Sequence, residues 1–172
     1  MVCESTPGEG TIFEIYLPRD HREEMEVLDA DPRVVSGAME GSETILLVDD
    51  EELVRTVAER MLERRGYQVL CASDGDEAVE IFDKEGETID VVLLDLTMPK
   101  VSGRAAFRML RERSADLPVI LCSGYVVDTE AFAEETGLRP DGALQKPFDP
   151  QELFSEMRRV LDGHSGVILA PE

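Results

Sequence analysis

An aspartate, Asp95, closes a run of four apolar residues, Val91 to Leu94. An ionised carboxylate at the mouth of such a run is costly unless something compensates it. Other apolar runs end in the same way. Asp49 and Asp50 follow Thr44–Val48, Ser123 follows Leu117–Cys122, and Lys146 follows Gly142–Gln145. Read singly, each is a helix cap or a loop residue. Read together, they are three carboxylates, a hydroxyl and an ammonium. Three carboxylates brought close repel one another, and a divalent cation relieves that repulsion. An all-oxygen ligand set selects Mg²⁺ over zinc or copper. Lys146 would supply a point charge and Ser123 a hydrogen-bond donor to phosphoryl oxygens. Asp95, the central carboxylate, is then the nucleophile, and aspartyl-phosphate formation is established chemistry for such a group.

The elements that must bring these residues together follow from hydrophobic period. Thr44–Val48, Tyr67–Ala72, Val91–Leu94, Leu117–Cys122 and Gly142–Gln145 read as strands. Val91–Leu94 in particular is apolar without alternation, as in a strand buried on both faces of a parallel sheet. Between them lie amphipathic helices. The first runs from Glu51 to Arg65, with Leu53, Val57 and Met61 as its apolar stripe and Gly66 as its stop. The second, Asp74–Lys84, turns Ala78, Ile81 and Phe82 inward. The third, Ser102–Arg113, has Ser102 as N-cap. Asp128–Thr136 is short, and Pro150–Leu161 carries Leu153, Phe154, Met157 and Val160 on one side. Strand alternating with helix predicts an α/β fold, a doubly wound five-stranded parallel sheet with helices on both faces. In an open sheet of this kind ligands bind beyond the carboxyl ends of the strands. Asp49, Asp50, Asp95, Ser123 and Lys146 all stand at that edge.

Composition bounds the partners. The chain has 172 residues, is 42% hydrophobic and carries a formal net charge of -21. Such acidity disfavours nucleic acid and anionic membrane surfaces. No apolar run approaches the length of a membrane span, and Glu4, Pro7 and Gly8 interrupt any signal-peptide core, so a cytoplasmic protein is expected. Cys3, Cys71 and Cys122 form no CxxC pair, and His21 and His164 lie far apart, which leaves no zinc site and no histidine-based catalysis in view.

Residues 1–18 contain a turn, Pro7-Gly8-Glu9-Gly10, and a strand, Thr11–Leu17, closed by Pro18. The segment resembles the closing strand of the ATP-binding domain of sensor histidine kinases. The asparagine and glycine boxes that hold ATP in that family are absent. The resemblance therefore implies a remnant of a preceding domain and no ATP site. Residues 19–42 are acidic and rich in breakers, a solvated linker with a helical stretch around Arg22 to Leu28.

Residues 43–162 resemble the receiver domain of two-component response regulators. The motifs are LLVDDE with Asp49 and Asp50, VVLLDLTMP with Asp95, ILCSG with Ser123, and LQKPF with Lys146. The resemblance implies a flavodoxin-like strand order 2-1-3-4-5. It implies that Asp95 accepts a phosphoryl group from a phosphohistidine and that Ser123 and Lys146 contact the phosphoryl oxygens. It further implies that Asp50, Asp95 and the backbone carbonyl of Thr97 bind Mg²⁺ directly, with Asp49 acting through water. A cis bond at Lys146-Pro147 is also implied. One position departs: the family places a switch aromatic three residues before the lysine, and Ala143 stands there. Tyr125, two residues past Ser123, is either a gating residue or a surface aromatic.

A kinase remnant, a linker, a receiver and a short tail at 163–172 give the order of a hybrid sensor kinase, with no DNA-binding output module expected after Gly163. The implied partners are a sensor histidine kinase, in cis or in trans, and a histidine phosphotransfer protein. A homodimer through the fourth and fifth strand–helix units stays open. The chain would then catalyse only its own phosphorylation and dephosphorylation. The alternative is a binding module that keeps the fold but signals without phosphate. A haloacid-dehalogenase-like phosphatase fits less well, because the second acid expected two residues after the nucleophile is Thr97. A dinucleotide enzyme fits worse, because the turn Asp49–Glu52 is acidic where a pyrophosphate needs glycines.

Overall fold

In the computed structural model, residues 2–6, 8, 10–14, 41–99 and 101–165 are described. The chain divides into two units, Met1–Gly37 and Ala38–Glu172. In the first, β1 (Val2–Thr6) and β2 (Gly10–Glu14) form an antiparallel hairpin. The strand expected at Thr11–Leu17 is thus present over its first half, and it has a partner, Val2–Thr6, that the sequence reading did not assign. That partner alternates polar and apolar residues too weakly to stand out alone. Ile15 to Pro18 and the expected helix around Arg22 to Leu28 lie outside the described residues.

The second unit holds β3 (Thr44–Val48), α1 (Glu52–Glu63), β4 (Gln68–Ala72), α2 (Gly75–Glu85), β5 (Val91–Asp95), α3 (Gly103–Arg113), β6 (Val119–Ser123), α4 (Thr129–Thr136), β7 (Gly142–Gln145) and α5 (Pro150–Ser165). The five strands from Thr44 onward pair in parallel in the order β4-β3-β5-β6-β7. Counted within this unit, that is the expected order 2-1-3-4-5.

Period-two alternation explains why the strands look uniformly apolar. Leu46, Val48, Val92, Leu94 and Leu121 point to one face, where Ala78, Val79, Phe107, Leu110 and Phe132 of α2, α3 and α4 cover them. Ile45, Leu47, Val91, Leu93 and Ile120 point to the other, under Ala58 and Leu62 of α1 and Leu153, Met157 and Val160 of α5. Each fully buried Leu or Ile contributes roughly 1.5–3 kcal/mol, so two sealed faces set the register firmly.

Helix ends follow local chemistry. Asp74, Ser102 and Asp128 each accept a backbone N–H of the helix they cap. α4 ends on Gly137 in the left-handed region, φ 72°. No helix among the described residues is long and apolar enough to cross a membrane.

One expectation is corrected. The stripe Leu53, Val57, Met61 meets the core only at Met61, which is partly buried against it. Leu53 is 72% and Val57 50% exposed, and the buried residues of α1 are Ala58 and Leu62. The helix carries two apolar stripes about a quarter-turn apart, and the sheet buries the one that holds Ala58 and Leu62. Leu53, Val57 and Met61 line a cleft of about 520 Å³ together with Glu51, Lys146, Pro147 and Phe148.

Candidate functional site

The sheet delivers the singled-out side chains to one edge. The β3–β4 ladder closes at Val48 paired with Ala72, and Asp49 follows. Asp95 is the last residue of β5, paired with Cys122, and Ser123 is the last of β6, paired with Gln145. Lys146 comes one residue after β7, and its N–H donates to the Ser123 carbonyl at 2.7 Å. β3 lies between β4 and β5, so Asp49 and Asp95 flank the switch point of the sheet.

Lys146 joins the acids. Its Nζ donates to Asp49 Oδ2 at 2.6 Å and to Asp95 Oδ2 at 2.8 Å. Asp49 and Asp95 are buried, at 3% and 6% exposure, so charge-assisted bonds of this kind are what make their burial tolerable. Burial works against the Lys146 charge, but the hydrogen bonds and charges of Asp49 and Asp95 outweigh it and raise the ammonium pKa above its ordinary value. The remaining carboxylate oxygens are held from the backbone: Glu51 N–H donates to Asp49 Oδ1 and Thr97 N–H to Asp95 Oδ1, both at 2.9 Å.

Asp50 is exposed, yet one oxygen each from Asp49, Asp50 and Asp95 lies within 4.8 Å of the others. Three oxygen donors converging on a space of that size fit a hard cation that keeps few protein ligands. Ser123 is buried, and its Oγ accepts the Tyr125 N–H at 3.1 Å. Tyr125 itself is 78% exposed, at the rim of a cleft of about 370 Å³ that Thr97 and Ser123 also line. The Lys146-Pro147 bond is cis.

Two supports were not legible in the sequence reading. Gly103 lies so close under the site that a Cβ there would meet the Asp95 carbonyl oxygen at 2.1 Å and Leu96 Cα at 2.6 Å, so only glycine fits. Arg55, on α1, donates from its guanidinium to the Asp49 carbonyl at 2.5 Å. The position of Gly103 after Pro99 hinted at a tight turn; nothing local pointed to Arg55.

Cys122 lies beneath the site, and burial pushes its thiol up to about 12, which leaves it an inert core residue. At Ala143, in place of the expected switch aromatic, the backbone N–H donates to Glu156 Oε1 at 3.1 Å.

Residues 45–158 match the family model of the response regulator receiver domain. The chain is 37% identical over 166 residues to the sensor kinase CckA of Brucella abortus, a match covering 93% of this chain and 17% of that protein. It spans under half the length of the transcriptional regulators it also matches. Among solved structures, the receiver domain of the hybrid histidine kinase CckA is 36% identical, with a TM-score of 0.57, over 69% of this chain and 98% of that one. The response regulator TrrA of Thermotoga maritima, crystallised with Mg²⁺ and a beryllium fluoride, is 28% identical, with a TM-score of 0.61, over 69% of this chain and 99% of that one.

Proposed function

This chain belongs to the response regulator receiver domain family of two-component signalling, and we propose that Asp95 is the residue at which it accepts a phosphoryl group. The observation that carries this reading is the pair of hydrogen bonds that the Lys146 ammonium donates to Asp49 and Asp95 at the carboxyl edge of the sheet. In the step proposed, an oxygen of Asp95 attacks phosphorus on a phosphohistidine. The O–P bond forms, the N–P bond breaks, and the imidazole leaves with the electron pair and takes up a proton. Donors from Thr97 and Lys146 hold the Asp95 carboxylate in one orientation, so little ordering remains for the reaction itself. The Lys146 ammonium then meets the charge of the transferring group, and Ser123 offers its hydroxyl proton to a phosphoryl oxygen. Asp49, Asp50 and Asp95, with the Thr97 carbonyl, would hold Mg²⁺. When bound, that cation neutralises charge on the carboxylates and on the phosphoryl group. Water attacking the acyl phosphate at the same site would return Asp95, the self-catalysed hydrolysis.

The donor we propose is a sensor histidine kinase or a histidine phosphotransfer protein. Within the receiver unit, Leu53, Val57, Tyr125 and Val126 are the large apolar residues left most exposed among the described residues. Leu53 and Val57 share a cleft with Lys146, and Tyr125 and Val126 share one with Ser123. Apolar surface on both flanks of an acidic pocket suits a partner that brings its own phosphohistidine between two apolar contacts.

We read the chain as part of a hybrid kinase, with residues 1–18 as the end of a kinase ATP-binding domain, 19–42 as linker, 43–162 as receiver and 163–172 as tail. The extent of the CckA match supports this. It covers 93% of the chain, whereas matches to regulators cover about 70%. The compartment proposed is the cytoplasm, in keeping with the free thiols of Cys71 and Cys122; cell fractionation checks it.

Intact mass spectrometry after incubation with Mg²⁺ and acetyl phosphate tests the assignment. The chain should gain one phosphoryl group and Asp95→Asn none. No gain by the wild type would favour the phosphate-independent binding module. With a phosphohistidine donor in the same assay, Leu53→Ser combined with Val57→Ser should slow transfer while uptake from acetyl phosphate stays unchanged. Equal slowing from both donors would remove the docking reading.

A further inference from the structure

α1 breaks two rules of helix ends at once. Its N-cap residue, Glu51, makes no side-chain cap bond. A cation, Arg55, sits just inside the N-terminal turn, where the helix dipole favours anions. A placement with that cost needs a compensating contact, and the contact observed is with the site. The Asp49 N–H makes the last strand bond on that side, to the Ala72 carbonyl at 3.1 Å. The Asp49 carbonyl lies beyond the last β3–β4 pair, Val48 with Ala72. Among the described residues its donor is the Arg55 guanidinium, at 2.5 Å. The bond restrains that carbonyl, and with it the peptide that joins Asp49 to Asp50.

That peptide decides where Asp50 points. Asp49 is fixed from both oxygens, by Glu51 and Lys146, and Asp95 likewise by Thr97 and Lys146. Asp50 is exposed, and no side-chain hydrogen bond orients it among the described residues. Its place within 4.8 Å of the other two acids therefore depends on the backbone. We propose that Arg55 is a positioning residue of the receiver site, and that by holding the Asp49 carbonyl it sets the Asp49–Asp50 peptide so that the Asp50 carboxylate reaches the cation pocket. The inference rests on the metal-binding reading above.

Charge alone predicts the opposite outcome, which makes the inference testable. A cation near a cation site repels the metal, so deleting it should tighten binding. A lost positioning contact should weaken it. Calorimetric titration of the intact chain with Mg²⁺, for the wild type, Arg55→Ala and Arg55→Lys, separates the two. The expected result is about tenfold weaker binding for Arg55→Ala, the scale for groups that orient metal ligands. Arg55→Lys should recover most of the loss, because one N–H makes the bond. Should Arg55→Ala unfold, Arg55→Met keeps bulk and helix propensity without a donor, and serves in its place. Tighter or unchanged Mg²⁺ binding in the donor-less variant overturns the inference and leaves the receiver reading standing. So does lowered metal-free stability to urea with an unchanged Mg²⁺ dissociation constant, which would mark a merely structural arginine. A wild type that gives no Mg²⁺ binding overturns both.

Discussion

At the scale of single residues, the site stores an imbalance. Lys146 bonds Asp49 and Asp95 but not Asp50, which lies within 4.8 Å of both and has no cationic partner among the described residues. Unit charges about 4 Å apart interact by about 1 kcal/mol where water screens them fully, and Asp50 is on the solvent side. Asp50→Asn should therefore stabilise the metal-free chain by about that amount in urea unfolding at low salt. The same substitution should abolish most of the stabilisation by Mg²⁺, which for a ligand at a hundred times its dissociation constant is about 2.7 kcal/mol in the wild type. The two unfolding curves should then exchange order as Mg²⁺ is added. If Asp50→Asn lowers metal-free stability, the repulsion assigned to this residue is absent. The expected site residues stood out in the sequence only as a set, each ending an apolar run with a polar group. Arg55 did not, since its partner is a backbone carbonyl, which no side-chain pattern advertises.

At the scale of elements, β7 is an edge strand, and edges invite unwanted pairing. Here α5 covers it. Glu156 accepts the Ala143 N–H, and Arg159 both pairs with Glu156 and donates to the Asp141 carbonyl at 2.6 Å. The Arg159 guanidinium lowers the Glu156 pKa; burial works against this, and the Ala143 bond adds to it. A carboxyl whose folded pKa lies below its unfolded value adds stability above the unfolded pKa, and that stability disappears as pH falls through the folded one. Glu156→Gln, a mimic of the protonated acid, should thus cost about 1 kcal/mol at pH 7. The gap from wild type should close below the ordinary glutamate range. A gap that persists once Glu156 of the wild type is protonated would show that charge is not what caps this edge. α1 shows the limit of reading elements from pattern. Leu53, Val57 and Met61 have ideal helical spacing, but so do Val54, Ala58 and Leu62, and the choice between the stripes belongs to the sheet beneath.

At the scale of the whole molecule, every contact assembled at the site lies between Asp49 and Lys146, within the unit Ala38–Glu172. That unit has two cores of its own, one on each face of its sheet. A chain cut to residues 38–172 should unfold in one transition and take up phosphoryl from acetyl phosphate at the rate of the full chain. A broadened transition, or uptake several-fold slower, would mean that the first unit supports the site.

The alternation of apolar strands and helices, and the polar residue that ends each strand, were determined by the amino-acid order alone, because burial on both faces of a parallel sheet leaves a local signature. Which face α1 buries, what orients the Asp49–Asp50 peptide, how closely Gly103 passes under Asp95 and what seals β7 were decided only in three dimensions. Those outcomes depend on atoms brought together from distant parts of the chain, and their energies do not exist until the sheet has closed.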